Sequence, residues 1–146
     1  MIPEITSKTN VQQAVPFFNI TNMEASLRFY TEGLGFEMKN HWIDEGKLRW
    51  CLLQLGGAAL MLQEYKQDVP GFNVPIDKLG IGVSICFICE DALAIYHAAI
   101  ERGLQLSQPF VGNGMWVTSL SDPDGYCLDF ESYTDVPEGT VYQITK

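Results

Sequence analysis

The first apolar run, Ala14-Val15-Pro16-Phe17-Phe18-Asn19-Ile20, is rich in branched and aromatic residues and predicts a strand. Thr21-Asn22-Met23-Glu24 follows, with a hydroxyl and a carboxylate at capping-box spacing, and opens a helix. Met23, Leu27, Tyr30 and Leu34 then fall on one helical stripe, which Gly33 and Gly35 end. Three strand-like runs come next: Phe36 to Ile43, Leu48 to Leu55 and Ala58 to Glu64. Asp44-Glu45-Gly46 and Gly56-Gly57 are the turns between them. The order is β-α-β-β-β.

After a Pro- and Gly-bearing stretch from Lys66 to Gly80, the same order begins again. Ile81 to Cys89 reads as a strand, and a helix runs from Glu90-Asp91 to Arg102-Gly103. A short strand around Leu104 to Phe110 and another from Met115 to Leu120 follow. Asp122-Pro123-Asp124-Gly125 makes a type I turn, and the last strand is Tyr126 to Ser132. The halves superpose at an offset of 68: Gly35 on Gly103, Gly57 on Gly125, and Leu60-Met61-Leu62 on Leu128-Asp129-Phe130. A fixed offset with a repeated element order argues for duplication of one supersecondary unit. The expected fold class is α+β: two tandem βαβββ modules forming an open, eight-stranded, cup-like mixed sheet with outer helices. The boundaries are a tail over 1–10, a first module over 11–66, a linker over 67–80, a second module over 81–132 and a C-terminal arm over 133–146. The arm is expected to lie on the surface or on a partner chain.

Composition narrows the function classes. The 146 residues are 47% hydrophobic and 18% charged, which suits one structural domain with a real core and excludes disordered and collagen-like chains. The net charge of -9 disfavours nucleic acid and anionic membrane as partners and permits a cationic ligand. No run nears the roughly 18–20 apolar residues of a membrane span. Met1-Ile2-Pro3-Glu4 lacks the basic start of a signal peptide. Cys51, Cys86 and Cys127 sit in apolar runs, so buried, reduced thiols in a cytoplasmic protein are expected. Cys86 and Cys89 have C-x-x-C spacing, but residues three apart in a strand point to opposite faces, which argues against a shared metal or dithiol.

The segment Val15 to Tyr30, the Leu34-Gly35-Phe36 after it, and Asp122-Pro123-Asp124-Gly125 resemble the vicinal oxygen chelate superfamily. Its members include glyoxalase I, extradiol dioxygenases, fosfomycin resistance enzymes and bleomycin resistance proteins, and the bleomycin-resistance-like branch is closest in pattern. The resemblance covers Val11 to Ser132 and implies a cup holding a divalent metal on ligands from the first and last strand of each module. Those positions fall here on Val15, on Val83 or Ser84, on Met61 and on Asp129. Strand parity agrees, since Leu60, Leu62, Leu128 and Phe130 should face the helices and leave Met61 and Asp129 to the cup. Valine and methionine are not ligands for a hard cation, and serine is a weak one. No cofactor is therefore expected. The alternative is Zn, Ni, Mn or Fe held by Asp129 with Glu131 or Glu64, although the parity of Glu64 turns it away from the cup. His41 and His97 sit at no ligand position and read as surface or partly buried residues.

Three functions follow. The first is a metal-free small-molecule binding protein, in the manner of bleomycin resistance proteins, whose cups form between two chains and take a cationic aromatic drug. Its candidate ligand-binding residues are Phe17, Asn19, Trp50, Met61, Gln63, Trp116, Asp129 and Glu131. Cys127, Asp129 and Glu131 are expected on an acidic wall, with Val15, Phe17, Asn19, Ala59, Met61 and Gln63 opposite. In a purely structural variant Asp129 only accepts hydrogen bonds from Asn19 or Gln63. The second function is a metal-dependent lyase, isomerase or dioxygenase. The third is an accessory module with a filled cup. A homodimer is expected, because half-cups with one apolar face and a proline-bearing arm bury more area by pairing.

Overall fold

The computed structural model describes residues 10–65 and 79–144, so nearly all of the expected tail and linker lies outside the described residues. The first module contains β1 (Phe17–Ile20), α1 (Met23–Arg28), a π-helical turn (Phe29–Gly33), β2 (Glu37–Asp44), β3 (Lys47–Leu55) and β4 (Ala58–Glu64). The second contains β5 (Ser84–Ile88), α2 (Ala92–Glu101), β6 (Phe110–Gly112), β7 (Met115–Ser121) and β8 (Cys127–Tyr133). Each module is one open mixed sheet, ordered β1-β4-β3-β2 and β5-β8-β7-β6. The β1–β4 and β5–β8 pairs are parallel and the others antiparallel. The structure thus bears out the expected open fold of two tandem βαβββ modules, its eight strands divided into two mixed sheets of four. Duplication dictates how each unit folds and leaves open how the units join.

Three elements are shorter than the pattern predicts. Val15 and Pro16 precede β1, although the Pro16 carbonyl still accepts the Met61 N–H at 2.8 Å. Gly80 and Gly82 hold positive φ, so the strand expected from Ile81 starts at Ser84. Residues 104–109 form no strand, and only β6 remains of that run.

Backbone pairing refines the repeat. Phe17 lies opposite Met61 and Cys86 opposite Asp129, so the first strands correspond at an offset of 69 and the last at 68. The helix N-caps Asn22 and Asp91 share the 69 offset, whereas Gly35 and Gly103, both at positive φ beyond the helices, share 68. The first helix thus carries one extra residue. The π turn absorbs it, with the Leu34 N–H reaching back to the Phe29 carbonyl at 3.1 Å.

The modules join through the helix-side faces of their sheets. Leu60, Leu62, Leu128 and Phe130 are buried there together with Tyr30, Phe36 and Phe87. Phe36 meets Phe87 edge-on at 6.1 Å, and Phe18 stacks on Tyr126 at 4.2 Å. Polar contacts fasten the seam. The Tyr30 hydroxyl donates to Asp122 at 2.8 Å, and the Tyr126 hydroxyl donates to the Asn19 carbonyl at 2.7 Å. The predicted turn closes as expected, by the Gly125 N–H bonding the Asp122 carbonyl at 3.0 Å. Asp124 in that turn accepts from the Thr21 N–H and hydroxyl. Thr21 therefore bridges the modules, and Asn22 caps α1 through the Ala25 N–H, where the sequence suggested a Thr21–Glu24 box.

The described part of the C-terminal arm lies on its own chain. It continues sheet two beyond β6 through bonds from Val111 N–H to the Thr140 carbonyl and from Gly139 N–H to the Val111 carbonyl, both 2.9 Å.

Candidate functional site

The sheet faces opposite the shared core carry the candidate residues. On the second module, β5 sets Ser84 against Cys127 and Cys86 against Asp129, while β7 sets Ser119 against Asp129 and Ser121 against Cys127. These side chains share one face. With the segment Gln105-Leu106-Ser107 above them, Ser84, Ser119, Ser121, Cys127 and Asp129 line a cavity of about 440 Å3. The Ser119 hydroxyl donates to Asp129 Oδ1 at 2.5 Å. Glu131 lies one pair further along the same face, opposite Ile88 and Val117. The expected partners Asn19 and Gln63 belong to the other sheet, so Asp129 is ordered by its own module instead.

Exposure here departs from the expectation of buried thiols. Cys51 alone is buried, and Cys86 is exposed on the Asp129 face. Partial burial, then the charge and hydrogen bonding of Glu131, push the Cys86 thiol up and keep it neutral. Cys89 points to the core side, as strand parity requires.

On the first module, Phe17 and Asn19 align with Met61 and Gln63, and Trp50 lies opposite Gln63. Trp42 pairs with Trp50 at the sheet's edge. Phe17 and Trp42 are each 47% exposed, so this face presents open aromatic surface. Within one chain it does not meet the Asp129 wall: the core lies between them, and the described residues that line the cavity all come from the second module. Trp116 is on the other side of its strand. It pairs with Ser132, whose hydroxyl accepts the Ala92 N–H on the α2 side, and its ring lies 5.7 Å from that of Tyr142. Trp116 is therefore separated from the cavity by its own sheet.

Glu64 also has a structural task. Its side chain is only 11% exposed and sits 2.6 Å from Lys47 Nζ, turned away from the cup as its parity requires. It accepts the Met23 N–H at the start of α1 at 2.7 Å. Burial alone would raise its pKa, but the hydrogen bonds from Lys47 and Met23 and the charges of Lys47 and Arg49 outweigh that and hold it low. His41 is exposed, and His97 hydrogen-bonds the Tyr142 hydroxyl at 2.8 Å.

Strand pairing makes Ser84, not Val83, the counterpart of Val15. The four positions where related enzymes would hold a metal are thus Val15, Ser84, Met61 and Asp129. One carboxylate and one hydroxyl do not fit a divalent cation, which needs more oxygen or nitrogen donors. Among the described residues no group of three or more His, Cys, Asp or Glu is placed to hold a metal ion.

Serines 119 and 121 were missed in the sequence, although alternation with Leu120 and the antiparallel pairing to β8 carry the signal. Gln105 and Ser107 lie in an irregular segment whose path no periodicity encodes.

The model of the Glyoxalase/Bleomycin resistance protein/Dioxygenase superfamily matches residues 12–130. No curated protein matches the chain. Among solved structures, the bleomycin resistance determinant encoded on transposon Tn5 is 25% identical, with a TM-score of 0.63 over 84% of this chain and 98% of that one. A bleomycin-binding protein complexed with bleomycin is 24% identical, with a TM-score of 0.63 over 85% of this chain and 100% of that one. A glyoxalase-related enzyme from Fulvimarina pelagi is 18% identical, with a TM-score of 0.62 over 92% and 99%. Tandem βαβββ modules, the strand register and the family match agree: the chain belongs to the glyoxalase/bleomycin resistance protein/dioxygenase superfamily.

Proposed function

We propose that this protein binds a small molecule without a metal, in cups completed between two copies of the chain. The observation that carries this reading is the pair of unlike open faces. One offers Phe17, Trp42 and Trp50, the other Asp129 among hydroxyls, and they turn away from each other in a single chain. A two-fold dimer sets the first-module face of one copy over the second-module face of the other, covering apolar surface on both. Each cup then has an aromatic wall and an acidic wall, suited to a ligand with a cationic end and a hydrophobic, aromatic body. Likeness to bleomycin-binding proteins supports the same reading, and the donor set at the four metal positions gives a lyase or dioxygenase chemistry little to work with. Among the described residues no helix is long and apolar enough to cross a membrane. With four free cysteines, the protein suits a reducing compartment such as the cytoplasm.

Titration with bleomycin, followed by tryptophan fluorescence and by elemental analysis of protein purified without chelators, tests the reading. Saturable quenching at Trp50 with substoichiometric Zn, Ni, Mn and Fe is expected. A near-stoichiometric metal would contradict it.

A further inference from the structure

We infer that the Asp129 cavity selects a primary ammonium carried on a hydroxylated end of the ligand, as in an amino sugar or an amino alcohol. This rests on the small-molecule-binding reading above and names the part of the ligand that this wall takes.

Charge is the first ground. Arg102 is the only Lys or Arg between residues 79 and 144, and its guanidinium is directed at the Gly33 carbonyl, 3.5 Å away at the module seam. Among the described residues no Lys or Arg forms an ion pair with Asp129. Its Oδ1 accepts the Ser119 hydroxyl, and Oδ2 accepts no hydrogen bond from the described residues. A guanidinium is best held by two free carboxylate oxygens in a fork. One engaged oxygen and one open oxygen suit the compact ammonium better, with nearby serine hydroxyls as further acceptors.

The lining is the second ground. Ser84, Ser107, Ser119, Ser121 and Gln105 contribute groups that both donate and accept, and Leu106 and Leu120 supply the apolar part. None of the described residues of this chain that line the cavity is aromatic, so the end of a ligand seated on this wall meets hydroxyls and a carboxylate and not a stacked ring. Hydroxyls that rotate to give or take a hydrogen bond match a ligand that is itself hydroxylated. A volume of about 440 Å3 admits one such ring.

The test uses the intact protein and three probes: D-glucosamine, its N-acetyl derivative, which keeps the hydroxyls and loses the charge, and D-glucose. Binding is read from amide shifts in nitrogen–proton NMR spectra. Glucosamine should give saturable shifts at Ser84, Ser107, Ser119, Ser121 and Asp129, with an affinity about tenfold above the other two, as expected for a charge-assisted bond. Asp129→Asn should erase that preference, and Ser84→Ala with Ser121→Ala should weaken glucosamine without touching the Asp129–Ser119 contact. Equal binding of the three sugars, shifts confined to the Trp50 face, or no response to glucosamine would overturn the inference. Bleomycin binding that persists beside a silent glucosamine titration overturns this inference alone; loss of both overturns the broader reading as well.

Discussion

Glu64 and Ser132 occupy corresponding positions near the ends of β4 and β8, and each accepts the first N–H of its own module's helix, from Met23 and Ala92 respectively. The repeat has kept the task and changed the chemistry. Ser132 is a neutral acceptor within the buried α2 contact, where the Thr118 hydroxyl binds the Ala92 carbonyl at 2.7 Å. Glu64 adds charge at the positive end of α1 and holds Lys47 and Arg49. This engagement removes it from any cup. Glu64→Ala and Ser132→Ala should each cost about 1–2 kcal/mol in denaturant unfolding, the scale of a lost helix cap. Glu64→Gln should cost less than Glu64→Ala.

Tyr30 and Asp122 join the modules across their seam. Tyr30→Phe removes one of three donors to the buried Asp122 carboxylate and leaves the Asp124 and Tyr126 N–H groups in place. A loss of about 1–3 kcal/mol is expected, the scale of a buried acceptor left short of a partner. Because this bond is buried in the module seam and neither residue lines the cavity, glucosamine and bleomycin affinities at a temperature where the variant is folded should be unchanged.

The pH profile of stability should have two limbs. Burial pushes the Cys51 thiol up to about 11 and the Tyr126 phenol up to about 12, and it pushes Tyr30, beside Asp122, higher still. A raised folded value means stability that is full below the ordinary value and lost as pH climbs through the folded one. Stability should therefore fall from pH 9, the ordinary value of the Cys51 thiol, upward. Glu64 is held below its ordinary 4.5, so its contribution is present above that pH and lost as pH falls through the folded value. Asp122, raised by burial, works the other way and blunts the acid limb. Melting temperatures across pH check both limbs, and Cys51→Ala should delay the alkaline one.

How much of this was legible in the sequence depends on the range of the contact involved. Alternation in Leu60-Met61-Leu62 and Leu128-Asp129-Phe130 identified the inward and outward faces, because strand parity is local. The turn at Asp122-Pro123-Asp124-Gly125 was readable for the same reason. The Glu64 cap spans 41 residues and the Thr21–Asp124 bridge 103, and no local pattern encodes either. Trp116 was placed among cup aromatics on residue type alone. Its pairing with Ser132, which faces α2, sends it to the other side. The change of offset from 69 to 68 hid in the π turn, whose wider loop takes up the extra residue at a place no local pattern marks.

The most direct measurement of the cross-chain cup combines two lesions, one on each wall. Trp50→Ala and Asp129→Asn homodimers should each lose bleomycin binding in a fluorescence or calorimetric titration. Mixed one to one and allowed to exchange subunits, they form heterodimers in which one cup carries both lesions and the other carries neither. Random pairing should then restore about a quarter of the wild-type sites at wild-type affinity. If each cup is built within one chain, every site keeps a lesion, and a mixture that recovers no binding would contradict the cross-chain cup.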